Sequence, residues 1–155
     1  MGVFLKIRLL SFGKNKSGLF SEAVEEYAKR LSRYVSFEML ELPASRQQGA
    51  LAKREEATWA LKQLKAKELL WALDERGWQC TSVELSRQLE RQQIHAHNLC
   101  LVIGGDEGLD ASLLQRAHLV LALGRITLPH RMARLVLVEQ LYRSFCILKA
   151  EPYHK

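Results

Sequence analysis

Apolar and polar residues change their rhythm several times along this chain. Residues 3–12, VFLKIRLLSF, form a dense apolar run that predicts a strand. Gly13 to Gly18 breaks that run as a loop, with Ser17 placed to cap a following helix. From 19 to 34, Phe20, Val24, Tyr27, Leu31 and Tyr34 recur at spacings of three and four. That spacing predicts an amphipathic helix. Glu22 near its start and Lys29, Arg30 and Arg33 near its end suit the helix dipole. A short strand over Phe37–Leu42 closes at Pro43, and the polar loop ASRQQG leads to a second helix over about 50–66, rich in Ala, Leu, Lys and Glu.

One pattern then recurs three times. Leu69–Leu73 stops at Asp74-Glu75-Arg76-Gly77, Leu99–Ile103 at Gly104-Gly105, and Leu119–Leu123 at Gly124-Arg125. Short, nearly continuous apolar runs of this kind predict strands covered on both faces. Helical patterns follow them at about 81–93, 110–117 and 131–149. Strands alternating with helices predict an α/β fold, a mainly parallel sheet with helices on both faces. No linker, repeat or low-complexity tract divides residues 1–155, so a single domain is expected. In a parallel sheet the loops LDERG, IGGDEG and LGRITLPH share one edge, and ligands bind beyond the carboxyl ends of such strands.

Composition narrows the classes. The 155 residues are 48% hydrophobic and 26% charged, with a formal net charge of +6 and a pI near 9.4. That balance favours an anionic partner such as nucleic acid. No apolar stretch is long enough for a membrane span, and the first residues lack a secretory-signal pattern, so a cytoplasmic protein with no membrane association is expected. Lys6 stands where a myristoylation motif needs Ser or Thr. Cys80, Cys100 and Cys146 are scattered and odd in number, and read as buried free thiols of a reducing compartment.

The segment LVIGGDEGL raises the sharpest chemical question. Its glycines, 104, 105 and 108, match neither a dinucleotide fingerprint nor a phosphate-binding P-loop. Asp106 and Glu107 would repel phosphate and would suit ribose hydroxyls, an amine or a cation. The same residues are also good turn chemistry, with Asp110 as the cap of the next helix. The third loop, GRITLPHRMARLVLVEQLYRSF, places His130 and Arg134 on one face of a first helical turn, with Arg125 and Arg131 nearby. Cations usually favour the other helix end, so this cluster suits a phosphate backbone. Tyr153 and His154 in the tail can stack on a base and donate hydrogen bonds. His95 and His97 read as surface loop, His118 as structural, and Trp59, Trp71 and Trp78 as packing residues; no metal ligand set is expected.

LDERG, LVIGGDEGL, the run LGRITLPHRMARLVLVEQLYRSF and the terminal PYHK, in this order, resemble the ribosomal large-subunit methyltransferase H family, essentially end to end. The resemblance implies a SPOUT-class α/β fold with a C-terminal trefoil knot, which no periodicity argument reveals. It implies a homodimer, S-adenosyl-L-methionine as cofactor, and methylation at N3 of a pseudouridine in 23S rRNA of the assembled ribosome. Carried onto this chain, the cofactor residues would be Leu73, Gly104, Leu123, Gly124, Arg125, Ile126, Thr127 and Leu128. Arg131, Arg134, Tyr153 and His154 would face the substrate, the tail across the dimer. The family pattern carries Pro or Ser-Asn where this chain has Asp106 or Asp106-Glu107, a departure that leaves those acids without an inherited role.

Proton loss from N3 needs either a base, His130 or His154, or a cation such as Arg134 that stabilises the developing imide anion. Electrostatic stabilisation is the favoured expectation, because an arginine needs no pKa tuning. Two other classes fit parts of the sequence. A non-catalytic RNA-binding or ribosome-assembly factor accounts for the charge but not for three Gly-bearing loops at one edge. A nucleotide-binding enzyme lacks its phosphate fingerprints.

Overall fold

The central strands form because both of their faces find apolar cover. In the computed structural model, which describes residues 5–13 and 18–155, successive side chains of each strand enter two different cores. Leu99, Leu101 and Ile103 point into one cluster with Ile7, Leu9 and Trp71. Cys100 and Val102 point into the other with Leu10, Phe12, Leu70 and Ala72. Alternation with no polar face is what a doubly covered parallel sheet requires.

The elements follow in the order β1 (Lys6–Phe12), α1 (Ser21–Leu31), β2 (Ser36–Leu42), α2 (Gly49–Gln63), β3 (Glu68–Gln79), α3 (Ser82–Ile94), β4 (Asn98–Ile103), α4 (Ala111–Arg116), β5 (Leu119–Ala122) and α5 (His130–Leu148). The sheet order is β2-β1-β4-β3-β5, and every pair is parallel. Helices α1 and α3 both pack on α5, while α2 meets α4. The first group covers one core and the second covers the other. The expected α/β architecture is therefore present, and its strand order is consistent with the trefoil knot that the resemblance implies.

Two expectations need correction. The strand at Leu69–Leu73 does not end at Asp74: β3 runs on to Gln79. Leu73 and Trp78 both face Leu121 of β5, so the residues between them stand out of the ladder. The first helix is shorter than 19–34, starting at Ser21 after Phe20 at a positive φ of 78°; the cap assigned to Ser17 lies outside the described residues. Along α5, Leu137, Val138, Leu141 and Phe145 form the buried face, whereas Leu135 and Val136 are half-buried.

Other local readings hold. Asp110 caps α4, accepting from the Ser112 N–H at 3.0 Å. Thr81 and Glu84 add a reciprocal capping box on α3 that the sequence reading did not mark. Cys80, Cys100 and Cys146 are free thiols, the latter two buried and Cys80 partly so, and burial pushes the Cys100 thiol up to about 12. Trp71 is core, while Trp78 is 37% exposed.

His118 is structural, as expected. Its Nδ1 accepts the Leu70 N–H at 3.0 Å, and its own N–H donates to the Leu70 carbonyl at 2.7 Å. His118→Ala strands a buried backbone donor beside the sheet and should cost about 1–3 kcal/mol. Urea melts should show a lower midpoint at an unchanged slope.

Candidate cofactor site

The excursion in β3 after Leu73 and the carboxyl ends of β4 and β5 open into one cavity of about 910 Å³, within the usual size of a small-molecule site. Each expected loop supplies a wall. The excursion after Leu73 is the first. Asp74 accepts the Arg76 N–H at 2.8 Å and the Arg76 Nε–H at 2.9 Å, and that guanidinium holds the Asp74 carboxyl below its ordinary value. Glu75 in turn accepts the Thr127 hydroxyl, tying the first wall to the third.

The second wall is the turn Gly104–Gly108, closed by the Gly108 N–H donating to the Gly105 carbonyl at 3.0 Å. A Cβ on Gly104 would lie 2.6 Å from the Gly108 carbonyl carbon, so only glycine lets the two backbone limbs approach this closely. The third wall runs from Leu123 to Pro129 and into the first turn of α5. Pro129 provides no side-chain cap, and that first turn carries no acid of its own.

The expected cofactor residues Leu73, Gly104, Leu123, Gly124, Ile126, Thr127 and Leu128 all line the cavity. Arg125 does not; it is exposed beside it. His130 and Arg131 also line the cavity. Arg134 lies outside the lining, buried, with its Nη1 3.0 Å from Glu41 Oε1 of β2. The expectation that Arg134 acts as a ready cation at the reacting centre is thus not supported by its surroundings.

The tail lies elsewhere. Tyr153 donates its hydroxyl to Glu139 Oε1 at 2.9 Å, and its oxygen lies 3.3 Å from the Tyr27 hydroxyl; burial with those contacts pushes its phenol upward. Arg143 donates to His154 Nδ1 at 3.2 Å. Neither tail residue lines the cavity of its own chain.

Sequence patterns also missed several cavity residues. Leu19 and Phe20 form part of the wall, Phe20 in a left-handed conformation that costs a non-glycine residue strain. Lys53 of α2 reaches the opening. Asp106 of the central loop acquires a partner: its Oδ1 lies 3.0 Å from His130 Nδ1. Beneath the loop, Glu56 of α2 is only 6% exposed and accepts the Ser45 N–H at 3.2 Å. Burial raises its carboxyl above the ordinary value and the nearby Asp106 charge adds to this, against the Ser45 hydrogen bond and His130. A rim of mixed charge, with acids beside glycines and no phosphate cradle, suits a ligand that carries positive charge and hydroxyls.

Comparison with known proteins places this geometry in context. Residues 5–154 match the family model described as "Predicted SPOUT methyltransferase". A ribosomal RNA large subunit methyltransferase H of Anaeromyxobacter sp. (strain Fw109-5) is 49% identical over 97% of this chain and 100% of its own length. The protein of the same name from Enterococcus faecalis (strain ATCC 700802 / V583) is 39% identical with the same coverage. The chain belongs to the ribosomal RNA large subunit methyltransferase H family of SPOUT methyltransferases.

Solved structures share the fold at lower identity. A probable methyltransferase from Bordetella pertussis Tohama I matches with a TM-score of 0.58 at 18% identity, covering 92% of this chain and 95% of its own. A Legionella pneumophila methyltransferase in complex with the bound cofactor SAM matches with a TM-score of 0.51 at 16% identity, covering 88% and 65%. In this SPOUT methyltransferase the loop at Gly104–Gly108 rests on a buried carboxyl, and that makes the site's stability depend on pH. The folded carboxyl of Glu56 binds its proton more tightly than an unfolded one near 4.5. The parent therefore gains stability as pH falls from the raised value toward 4.5. Glu56→Gln keeps an acceptor for Ser45 and removes the buried charge. It should raise Tm by a few degrees at pH 7, and the gain should shrink across that window; an equal gain at both ends would contradict the assignment.

Proposed function

We propose that this chain uses S-adenosyl-L-methionine to methylate N3 of a pseudouridine in 23S rRNA, acting in the cytoplasm as a homodimer on the assembled ribosome. One observation carries the reading. Three loops rich in exposed backbone converge on a cavity of about 910 Å³ whose rim is acidic beside its glycines. The names of full-length relatives, at 36–49% identity, support the rRNA substrate. The neighbour with bound SAM supports the cofactor.

The residues present fit that cofactor. Bound there, S-adenosyl-L-methionine supplies an electrophilic methyl group on a positively charged sulfur. Gly104 and the run Leu123–Leu128 would hold it largely through main-chain N–H and C=O groups, which close backbone approach makes available. Arg125, exposed beside that run, would contribute through its backbone. The carboxylates of Asp74, Glu75, Asp106 and Glu107 favour a cationic ligand and disfavour a phosphate.

His130 opens α5 at the cavity and would serve as the acceptor of the imide proton. Arg131 beside it offers a cation to the RNA backbone. The pairing of Arg134 with Glu41 reverses the preference for a cation over a base; Arg134 then supports the substrate face through the position of α5. Tyr153 and His154 would act on the partner protomer's site, since their own cavity is out of reach. A purely RNA-binding role leaves the cavity without a purpose.

Calorimetry should detect S-adenosyl-L-methionine binding to the folded protein, and its absence at millimolar ligand would refute the reading. Gly104→Ala should weaken that binding about tenfold or more, because displacing packed backbone costs about 1–3 kcal/mol. Incubation with ribosomes lacking the modification, followed by mass mapping of the rRNA, should place the product on N3 of pseudouridine. Product on another nucleotide would refute the substrate assignment.

A further inference from the structure

His130 is the first residue of α5, and its side chain is 28% exposed at the cavity wall. Its Nδ1 faces Asp106 Oδ1 at 3.0 Å. A carboxylate can only accept, so in the neutral ring this contact favours the proton on Nδ1, which leaves the lone pair on Nε2. The two ring nitrogens lie on opposite edges of the imidazole, so a ring held by the loop at Nδ1 turns Nε2 away from it.

The acid that holds the ring is itself fixed. The turn Gly104–Gly108 is closed by its own backbone hydrogen bond. Its Gly105 lies directly on Glu56, where an added Cβ would come 3.0 Å from Oε1. Glu56 is buried and anchored to the Ser45 N–H. Asp106 also supplies the negative charge that the first turn of α5 lacks. The charges around the ring come from several elements: Asp106 on the loop, Glu56 on α2, Arg131 and Arg134 on α5, and Glu41 on β2, which engages Arg134.

We infer that Asp106 is a positioning residue for His130, and that the pair forms a dyad whose Nε2 takes the imide proton of the acceptor base. This rests on the methyl-transfer reading above. In the step, the N3–H pair becomes the N3–methyl bond, the methyl C–S pair returns to sulfur, and the proton moves to Nε2. The resulting imidazolium faces the Asp106 carboxylate, which compensates its charge.

The test combines kinetics with a spectroscopic signature in the ligand-free protein. Asp106 is 89% exposed, so its variants should fold, and kcat is read at saturating S-adenosyl-L-methionine because Asp106 is one of the rim carboxylates that favour the cofactor. Replacing a buried triad aspartate by Asn costs about 10⁴-fold; for an acid this exposed, Asp106→Asn should cost roughly tenfold in kcat, with KM for ribosomes unchanged. His130→Ala should cost about 10²-fold. The double variant should match His130→Ala alone, because the acid acts through the ring. Asp106→Glu should recover part of the rate. Nitrogen-15 NMR of His130 should show the Nδ1–H tautomer in the parent and its loss in Asp106→Asn.

Losses that multiply in the double variant would overturn the dyad, as would full activity of Asp106→Asn or an Nε2–H tautomer in the parent. A parent that fails to bind S-adenosyl-L-methionine would instead refute the methyl-transfer reading, while the NMR signature still decides whether Asp106 holds the ring.

Discussion

The site depends on a mismatch between β3 and β5. Both Leu73 and Trp78 pair with Leu121, so the four residues between them cannot lie in the ladder. They are pushed out at the carboxyl edge, where they become a wall. Parallel pairing of β3 with β4 on its other side then fixes the distance from that wall to Gly104. The hydrogen bond from Thr127 to Glu75 joins the excursion to the loop before α5. A strand that simply ended at Leu73 would leave the cavity open on that side.

Electrostatics in this protein position groups more than they stabilise the fold. The ion pairs Arg76–Asp74 and His130–Asp106 each have one largely exposed partner. Pairs of that kind contribute at most about 1 kcal/mol, less in salt. Their value lies in geometry: one holds the excursion in shape and the other orients a ring. The buried pair of Arg8 with Glu68, at 2.7 Å, is different. Arg8 also donates to the Gln63 carbonyl at 2.5 Å, so a single side chain links the end of α2 to β1 and β3. Loss of either partner would leave a desolvated charge beside the core.

The fold was largely legible because its signal is local. Runs such as Leu99–Ile103 have no polar face, and only a doubly covered parallel strand accommodates them. The cavity's location followed from the same logic, since carboxyl-end loops of parallel strands meet. What escaped is non-local. Asp74 to Arg76 is a polar triplet and reads as a strand end; only the resumed pairing at Trp78 shows that the strand continues. Asp106 and His130 belong to different loops, and nothing in either segment marks the other as its partner. Arg134 looks like a free cation in a helical first turn until β2 brings Glu41 against it.

The last helix governs how much of the substrate face one chain can supply. Its 19 residues span about 28 Å at 1.5 Å per residue. Its first turn stands at the cavity, while Tyr153 is tied by Glu139 and Tyr27 to the outer side of α5 and α1. The ring of Tyr153 meets Tyr142 edge-on at 4.8 Å, with the Arg143 guanidinium 4.8 Å from its centre on another side. Delivering the tail to its own cavity would break these contacts and cross much of the helix. A rigid α5 therefore keeps apart two groups that the sequence writes close together: His130 and Arg131, which line the cavity, and Tyr153 and His154, which do not.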